Sequence, residues 1–208
     1  MPSKPYFPVA LDLVGERAVV VGGNDEALDK AAKLVRAEAD VRVLWPEVVD
    51  GLRGLAEQGR VRWEARRPGE GDLRGARVVV LAEPDPALAR ELHAQGRREG
   101  FWLCAIDQPD HCDWVNVGQV EAGPVRVAIA SGGGAPGLVK RLREGLAAAL
   151  DARFAAFARR LVAHRDRLTS LPSAERRRRL ALALEGFGLE ITVRYPDWEA
   201  VPDGEPPG

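Results

Sequence analysis

Two glycine-rich turns are the features of this sequence best able to carry chemistry, because successive backbone amides in such turns can face an anion. The first turn, Gly22-Gly23-Asn24, follows the apolar run Arg17–Val21. The second turn, Ser131–Pro136, follows the apolar run 125–130 and leads into a basic segment that contains Lys140. The pattern predicts a protein that binds two anionic molecules.

The first turn matches the dinucleotide fingerprint G-x-G-x-x-G/A from Gly22 to Ala27, except that Asn24 stands at the second glycine. Asparagine best replaces glycine where the backbone must be left-handed. Glu47 lies just past the next predicted strand, where an acid accepts a hydrogen bond from a ribose hydroxyl and repels a 2′-phosphate. The pattern favours NAD over NADP, and the alternative is a strand-to-helix turn of another α/β protein.

A carboxylate stands at the end of a later predicted strand, in the run Ile106-Asp107-Gln108-Pro109. In open α/β sheets, ligands bind in the crevice beyond the carboxyl ends of the strands, so Asp107 would face the reactive end of a dinucleotide. A partly desolvated aspartate in this position is able to act as a general base. The alternative is a helix cap or an acidic turn residue before Pro109.

The elements that must position these residues alternate along the chain. Apolar runs bounded by glycine, proline or charged residues predict strands, and apolar positions repeated every three to four residues predict helices. The predicted strands are 17–21, 41–45, 61–63, 77–81 and 101–106, and the predicted helices between them include 27–35 and 86–99. This alternation predicts an α/β protein with a Rossmann-like, doubly wound parallel sheet.

The pattern changes after about Pro109. The strand 125–130 has no helix before it, which predicts a separate small sheet. A helical pattern runs from Leu138 to about His164, and Ser173 is able to cap a last helix. The predicted divisions of the chain are 1–113, 114–146, 147–195 and a flexible tail, 196–208.

Composition limits the classes of function. The chain has 208 residues, of which 46% are hydrophobic and 29% are charged, as expected for a folded domain. A net charge of −1 gives no general attraction to nucleic acid or to an anionic membrane. We therefore predict no nucleic-acid partner and no membrane partner, and we interpret Arg176–Arg179 as a solvated helix face.

The cysteines and the N-terminus indicate a compartment. Cys104 and Cys112 are too few for a disulfide framework, and their spacing is not that of a zinc site. His111 beside Cys112 does not complete a set of ligands, so no metal site is predicted. The N-terminus lacks the layout of a signal peptide, and no apolar run is long enough to span a bilayer. These features predict a cytoplasmic protein.

Three groups of residues occur in a characteristic order. They are Val19-Val20-Val21-Gly22-Gly23 with Ala27 and Lys30-Ala31, then Asp107 with Pro109 and Cys112-Asp113, then Ala128–Gly133 with Pro136 and Leu142-Arg143-Glu144. In order and spacing this series resembles the siroheme synthase N-terminal module family, over roughly Tyr6 to Asp151. Members of that family are precorrin-2 dehydrogenases, and some also act as sirohydrochlorin ferrochelatases.

The resemblance implies a homodimer that oxidises precorrin-2 to sirohydrochlorin with NAD, and that is able in some members to insert Fe²⁺. It implies an NAD-binding Rossmann domain over 1–113, a dimerisation and substrate region over 114–146 and a helical C-terminal region. The family's catalytic aspartate falls on Asp107. Its nucleotide contacts fall on Asp25, Glu26, Pro46 and Glu47, beside Gly22, Gly23 and Asn24 of the fingerprint, and its tetrapyrrole contacts fall on Ser131, Gly132 and Gly133.

The chemistry of the residues agrees with these implied roles. Dehydrogenation removes a hydride, which NAD accepts, and a proton, for which Asp107 is the natural acceptor. A polycarboxylated tetrapyrrole needs local positive charge, which Arg126 and Lys140 are able to supply beside the amides of the second turn. The alternative for each of these basic residues is a solvated surface position.

The sequence departs from the family pattern at Asn24, Glu83 and Cys104. These departures keep a second hypothesis open, a catalytically lapsed NAD- or tetrapyrrole-binding protein of the same fold. A third hypothesis is a Rossmann enzyme that acts on an unrelated anionic substrate. The resemblance leaves open whether this chain inserts iron, and what the helical region with His164 does.

Overall fold

A computed structural model of the protein describes residue 4, residues 6–132 and residues 134–197. The chain forms two compact units. The first unit contains the described residues up to Val120 together with Val127–Ala148. The second unit contains Glu121–Arg126 and the described residues from Ala149 onward.

The first unit is built on a five-stranded parallel sheet with the strand order β3-β2-β1-β4-β5. The strands are β1 (Arg17–Val21), β2 (Asp40–Leu44), β3 (Arg62–Glu64), β4 (Val78–Leu81) and β5 (Trp102–Ala105). The predicted doubly wound α/β sheet is confirmed, and each predicted strand lies within about one residue of an observed one.

Burial on both faces explains why these segments are strands. Ala18 to Val21 of β1 and Val78 to Leu81 of β4 are almost completely buried, as expected for central strands of a parallel sheet. The register aligns Val21 with Leu44 on one side and with Leu81 on the other. The carboxyl ends of β2, β1 and β4 therefore meet at one edge, and the chain order reverses between β1 and β4, where dinucleotides bind in such sheets.

Three helices connect the strands: α1 (Asp25–Arg36), α2 (Asp50–Glu57) and α3 (Pro86–Glu99). The bounds of α3 agree with the prediction, because Asp85 caps its first turn and Gly100 ends it with a left-handed φ of 86°. Helix α2 was not predicted. The helix has only eight residues, two of them glycine, so its apolar periodicity is weak. It is stabilised instead by packing of Leu52 into the core.

A separate two-stranded sheet follows, formed by β6 (Gly118–Ala122) and β7 (Val125–Ile129). The two strands are joined by Gly123 and Pro124 alone, so they run antiparallel. The predicted small sheet is confirmed. Strand β6 was missed because Val120 and Ala122 are its only buried apolar side chains, which is too short an alternation to stand out.

Three helices follow the hairpin: α4 (Pro136–Ala149), α5 (Ala152–Arg167) and α6 (Ser173–Ala183). The predicted helical pattern from Leu138 to about His164 is observed as two helices, because Asp151 accepts a hydrogen bond from the Phe154 amide at 2.9 Å and starts a new helix. The prediction that Ser173 caps α6 was wrong. Ser173 is the first helical residue, and Pro172 precedes it without a side-chain cap.

Helix α6 is followed by a segment without helix or strand over 187–196. Phe187 anchors the start of this segment, because its ring stacks on Phe157 of α5 with centroids 5.3 Å apart. Of the predicted tail 196–208, residues 198–208 lie outside the described residues. None of the helices in the described ranges is long and apolar enough to cross a bilayer.

Candidate active site

The turn between β1 and α1 requires both of its glycines. Gly22 has a φ of 144°, and a Cβ on it would lie 3.0 Å from the Cβ of Ala82 and 3.1 Å from Oε1 of Glu83. A Cβ on Gly23 would overlap the carbonyl oxygen of Glu47. The glycines therefore let the turn pack directly against the ends of β2 and β4.

Asn24 has a role that the fingerprint does not describe. Its backbone is extended, with φ −87° and ψ −176°, so the expectation of a left-handed residue at this position was wrong. Its Oδ1 accepts a hydrogen bond from the Ala27 amide at 2.9 Å, and its Nδ2 donates to the carbonyl of Ala82 at 2.7 Å. Asn24 therefore caps α1 and ties it to β4 without any need for glycine.

The first turn of α1 presents amides that fit an anion. The backbone amides of Asp25 and Glu26 have no acceptor among the residues that the structure describes. They lie at the positive end of a helix of 12 residues, at the carboxyl end of β1. The chain thus provides the donors that a dinucleotide pyrophosphate needs, and the residues present fit such a group.

The loop after β2 completes one side of this crevice. The carbonyl of Gly23 accepts a hydrogen bond from the Val49 amide at 2.8 Å, which holds the loop against the turn. Pro46 and Glu47 are exposed, and the Glu47 carboxylate has no partner within the described ranges. An exposed acid beyond β2 is suited to accept a hydrogen bond from a ribose hydroxyl.

Glu83 connects the ends of three strands. Its Oε1 accepts a hydrogen bond from the Gly23 amide at 3.1 Å, and its carbonyl accepts one from Nε2 of Gln108 at 3.2 Å. The Oε1 atom of Gln108 is buried without a hydrogen-bond partner in the described part of the chain. In the sequence, Glu83 is recognisable only as a departure from a family pattern, and its bond to Gly23 is not predictable, since 60 residues separate the two.

Asp107 follows β5 with a backbone that non-glycine residues seldom adopt. Its φ is 59°, and aspartate enters this left-handed region more readily than most residues. The side chain is exposed and makes no hydrogen bond or ion pair with any described residue. The expectation of a partly desolvated aspartate was therefore wrong for this chain by itself. The helix-cap alternative is not observed, because Gln108 holds the cap position of the short 3-10 helix Pro109–His111. Asp107 does lie in a turn before Pro109, as the turn alternative describes.

The segment after the 3-10 helix fixes β5 beneath Asp107. The Cys112 sulfur accepts a hydrogen bond from the Ala105 amide at 3.2 Å, and Oδ2 of Asp113 accepts one from the Leu103 amide at 3.0 Å. Contact with Cys112 and burial raise the pKa of the Cys104 thiol. No group of three histidine, cysteine or acidic side chains among the described residues is arranged to hold a metal ion.

The second glycine-rich turn is held by local bonds. The Ser131 hydroxyl accepts a hydrogen bond from the Ala135 amide at 3.2 Å, and the Ser131 carbonyl accepts one from the Gly134 amide at 3.1 Å. Gly132 is left-handed, with a φ of 62°. Gly133, which is also predicted to bind the substrate, lies outside the described residues.

The two basic residues that are predicted to bind the substrate lie in different units. Arg126 is on β7 in the second unit, where its Nε lies 3.9 Å from Oε1 of Glu121. Lys140 is on α4 in the first unit, exposed and without a partner in the described ranges. Both side chains are accessible in their own units, and their joint role stays a prediction.

A cavity of about 650 Å³ lies elsewhere in the first unit, beside the start of β5. Its walls include Tyr6, Arg97, Trp102 and Asp113, and none of the predicted site residues lines it. Burial raises the pKa of Tyr6, whose hydroxyl has no hydrogen-bond partner among described residues. This cavity is therefore separate from the crevice at the carboxyl ends of the strands.

Comparison with known proteins agrees with the geometry of the crevice. Residues 9–117, more than half of the chain, match the family described as "Putative NAD(P)-binding". The chain belongs to this family. It is 37% identical over 195 residues to the siroheme synthase of Gluconacetobacter diazotrophicus, covering 91% of this chain and 42% of that protein. It is 34% identical over 174 residues to the siroheme synthase of Pseudomonas entomophila, covering 83% of this chain and 38% of that protein.

These matches confirm the resemblance to the siroheme synthase N-terminal module family. The chain spans about two fifths of the length of these two relatives. A solved structure named "SirC, precorrin-2 dehydrogenase" has the same fold, with a TM-score of 0.76 and 21% identity over 87% of this chain and 90% of that chain. The comparisons leave the roles of individual site residues as predictions.

Proposed function

We propose that this chain is a precorrin-2 dehydrogenase of siroheme biosynthesis, which oxidises precorrin-2 to sirohydrochlorin with NAD. The observation that carries this proposal is the exposed, left-handed Asp107 at the carboxyl end of β5, next to Gln108, which is bonded through Glu83 to the glycine turn. A carboxylate is thereby placed at the same sheet edge as the dinucleotide turn. The names of the relatives and of the solved structure support this substrate class.

The chain's own residues would hold the cofactor at the β1–α1 turn. The amides of Asp25 and Glu26 would donate to its pyrophosphate, and Gly22 and Gly23 would keep the turn close to the sheet. Pro46 and Glu47 would border its adenosine ribose, and Asn24 would hold α1 in place. When bound, NAD supplies the acceptor for the substrate's hydride.

Asp107 would accept the proton that leaves the substrate with the hydride. Its carboxylate has no bond to give up, since it makes no hydrogen bond or ion pair with a described residue, and its left-handed backbone is held by the turn into the 3-10 helix. A residue in an unusual backbone region at the end of a strand is an expected feature of functional sites. Asp107 therefore serves as the general base.

The second turn and its basic neighbours would bind the substrate's carboxylates. Ser131, Gly132 and Gly133 would contribute hydroxyl and amide donors, and Arg126 and Lys140 would contribute positive charge. Residues 114–146 would also form the contact between two copies of the chain, beside the nucleotide domain 1–113 and the helical region 147–195. We propose a cytoplasmic homodimer that binds no nucleic acid.

The test supplies precorrin-2 and NAD⁺ to the purified chain without oxygen and follows NADH and the sirohydrochlorin spectrum. The expected result is formation of both products. Asp107→Asn keeps a residue that tolerates the left-handed backbone, so it should bind NAD⁺ normally and lower kcat by about 100-fold to 10,000-fold. Undiminished turnover in this variant would show that Asp107 is not the base.

The same assay separates the alternatives. Tight binding of NAD⁺ and tetrapyrrole without turnover would favour a catalytically lapsed binding protein. Binding of NAD⁺ without any binding of tetrapyrroles would favour an enzyme for another anionic substrate. Ferrous iron, added once sirohydrochlorin has formed, then tests insertion of Fe²⁺ through the siroheme spectrum.

A further inference from the structure

The crevice at the ends of β1, β2 and β4 carries a surplus of negative charge. Its acidic side chains are Asp25, Glu26, Glu47 and Glu83. Lys30 of α1 offers little compensation, because Glu26 and Asp29 hold its ammonium at 2.9 and 2.7 Å. An anionic ligand at this edge therefore needs a cation from another segment.

Arg67, from the segment after β3, brings such a cation to the crevice. Its guanidinium lies over the indole of Trp45, 4.5 Å from the ring centroid. Trp45 in turn packs against the glycine turn, since a Cβ on Gly23 would lie 2.8 Å from Cδ1 of its ring. One indole ring therefore spans the distance between the guanidinium and the turn that would hold the cofactor.

The neighbouring residues fix this segment and leave Arg67 available. Arg66 pairs with Glu64 at 2.7 Å and with Asp72 at 2.6 Å, and this bond holds the pKa of Asp72 well below its usual range. Arg42 pairs with the same two carboxylates. Arg67 is exposed and has no carboxylate partner among the described residues, so stacking on Trp45 orients a guanidinium whose donors remain accessible.

We propose that Trp45 and Arg67 form the adenosine end of the cofactor site, and that Arg67 accepts a 2′-phosphate, so that the chain binds NADP as well as NAD. This inference rests on the proposed dinucleotide site. Glu47 alone would exclude NADP by repulsion. Arg67 offers the planar fork of donors that pairs with a phosphate, and it lies beside Trp45, at the end of the β2 strand near which an adenosine ribose would bind in such sheets.

The experiment measures binding of NAD⁺, NADP⁺, 5′-AMP and 2′,5′-ADP to the full chain by calorimetry, without any tetrapyrrole. The wild-type chain should bind NADP⁺ within about tenfold of NAD⁺. Arg67→Ala should weaken the binding of NADP⁺ and 2′,5′-ADP by about tenfold or more, and should change the affinity for NAD⁺ and 5′-AMP by less than about threefold. Arg67→Lys keeps the charge without the fork and should fall between these values.

Arg53 provides a matched control, because its guanidinium also stacks on a tryptophan, 5.0 Å from the ring centroid of Trp63. Arg53→Ala should leave all four affinities unchanged. The inference is overturned if Arg67→Ala weakens the binding of NAD⁺ and NADP⁺ equally, or if the wild-type chain binds NADP⁺ more than about tenfold more weakly than NAD⁺. Either result leaves the proposed cofactor site intact. If none of the four ligands binds, both the inference and the proposed cofactor site are wrong.

Discussion

The two glycine-rich turns look equivalent in the sequence, but the chain surrounds them very differently. At the first turn, distant segments contact Gly23: Glu83 accepts from its amide, Val49 donates to its carbonyl, and Glu47 lies against its Cα. At the second turn, the bonds of Ser131 to other described residues reach only three and four positions ahead. A Cβ on Gly134 would meet nothing closer than the Ser131 carbonyl, at 3.5 Å.

A glycine-rich turn therefore becomes a binding site only through the segments that pack on it. The first turn is embedded in a core, and its outward amides at Asp25 and Glu26 have a defined direction. Helix α4, which follows the second turn, buries none of its residues, and Leu138 and Leu142 are 59% and 43% exposed. We therefore expect the second turn to be completed by a second copy of the chain, as proposed above.

The largest expected effect comes from adding one methyl group to each turn. Gly23→Ala drives a Cβ into the carbonyl of Glu47 and should lower the free energy of unfolding by about 3 kcal/mol or more. Gly134→Ala, the matched change in the second turn, should cost less than about 0.5 kcal/mol, because the space is open. Urea unfolding of both variants checks this, and similar losses would refute the contrast between the turns.

The side-chain hydrogen bonds at the two turns should differ in their contribution to stability by a smaller amount. Asn24→Ala removes the bonds to Ala27 and Ala82 and should lower the free energy of unfolding by about 1–2 kcal/mol. Asn24→Asp keeps the cap and should recover part of this loss. Ser131→Ala removes one bond at an accessible turn and should cost about 0.5 kcal/mol. Thermal unfolding measures all three, and a cost at Ser131 equal to that at Asn24 would contradict the comparison.

Glu83 tests whether the first turn is tuned for an anion. Glu83→Gln keeps an oxygen that accepts from the Gly23 amide and removes a negative charge beside the open amides of Asp25 and Glu26. We expect it to tighten the binding of NAD⁺ and ADP by about threefold to tenfold. The affinity for adenosine should not change, because adenosine carries no phosphate. Glu57→Gln, at the exposed end of α2, is the control for net charge. Weaker binding in Glu83→Gln would mean that the carboxylate positions the turn instead of opposing the ligand.

The smallest effect on stability is expected on α4. Leu142→Arg alters an exposed residue and should change the free energy of unfolding by less than about 0.5 kcal/mol. It should nevertheless convert the proposed dimer to a monomer in sedimentation experiments and reduce turnover. Leu182→Arg on α6, where the leucine is 55% exposed, is the control that should keep the native oligomeric state. If the wild-type chain is a monomer, or if Leu142→Arg still forms a dimer, the expectation that a second copy of the chain completes the second turn is wrong.

Much of the fold could be predicted because its elements have simple local patterns. The apolar run Arg17–Val21 is continuous over a full strand, and α3 carries a capping aspartate, an early proline and a terminal glycine. Helix α2 and strand β6 were missed because each is short and has few buried side chains, so packing rather than periodicity holds them. The break at Asp151 was missed because both flanking helices contain several alanine and arginine residues, so the helical pattern continues across it.

The class of fold, the fingerprint at Gly22 to Ala27 and the candidate carboxylate Asp107 can all be predicted from the sequence, since each depends on residues close together in the chain. The extended cap at Asn24, the bond from Gly23 to Glu83 and the position of Arg67 over Trp45 are visible only in the folded protein. The strand order explains this difference. A parallel sheet gathers the carboxyl ends of β2, β1 and β4 at one edge, and the contacts made there join residues that no local pattern relates.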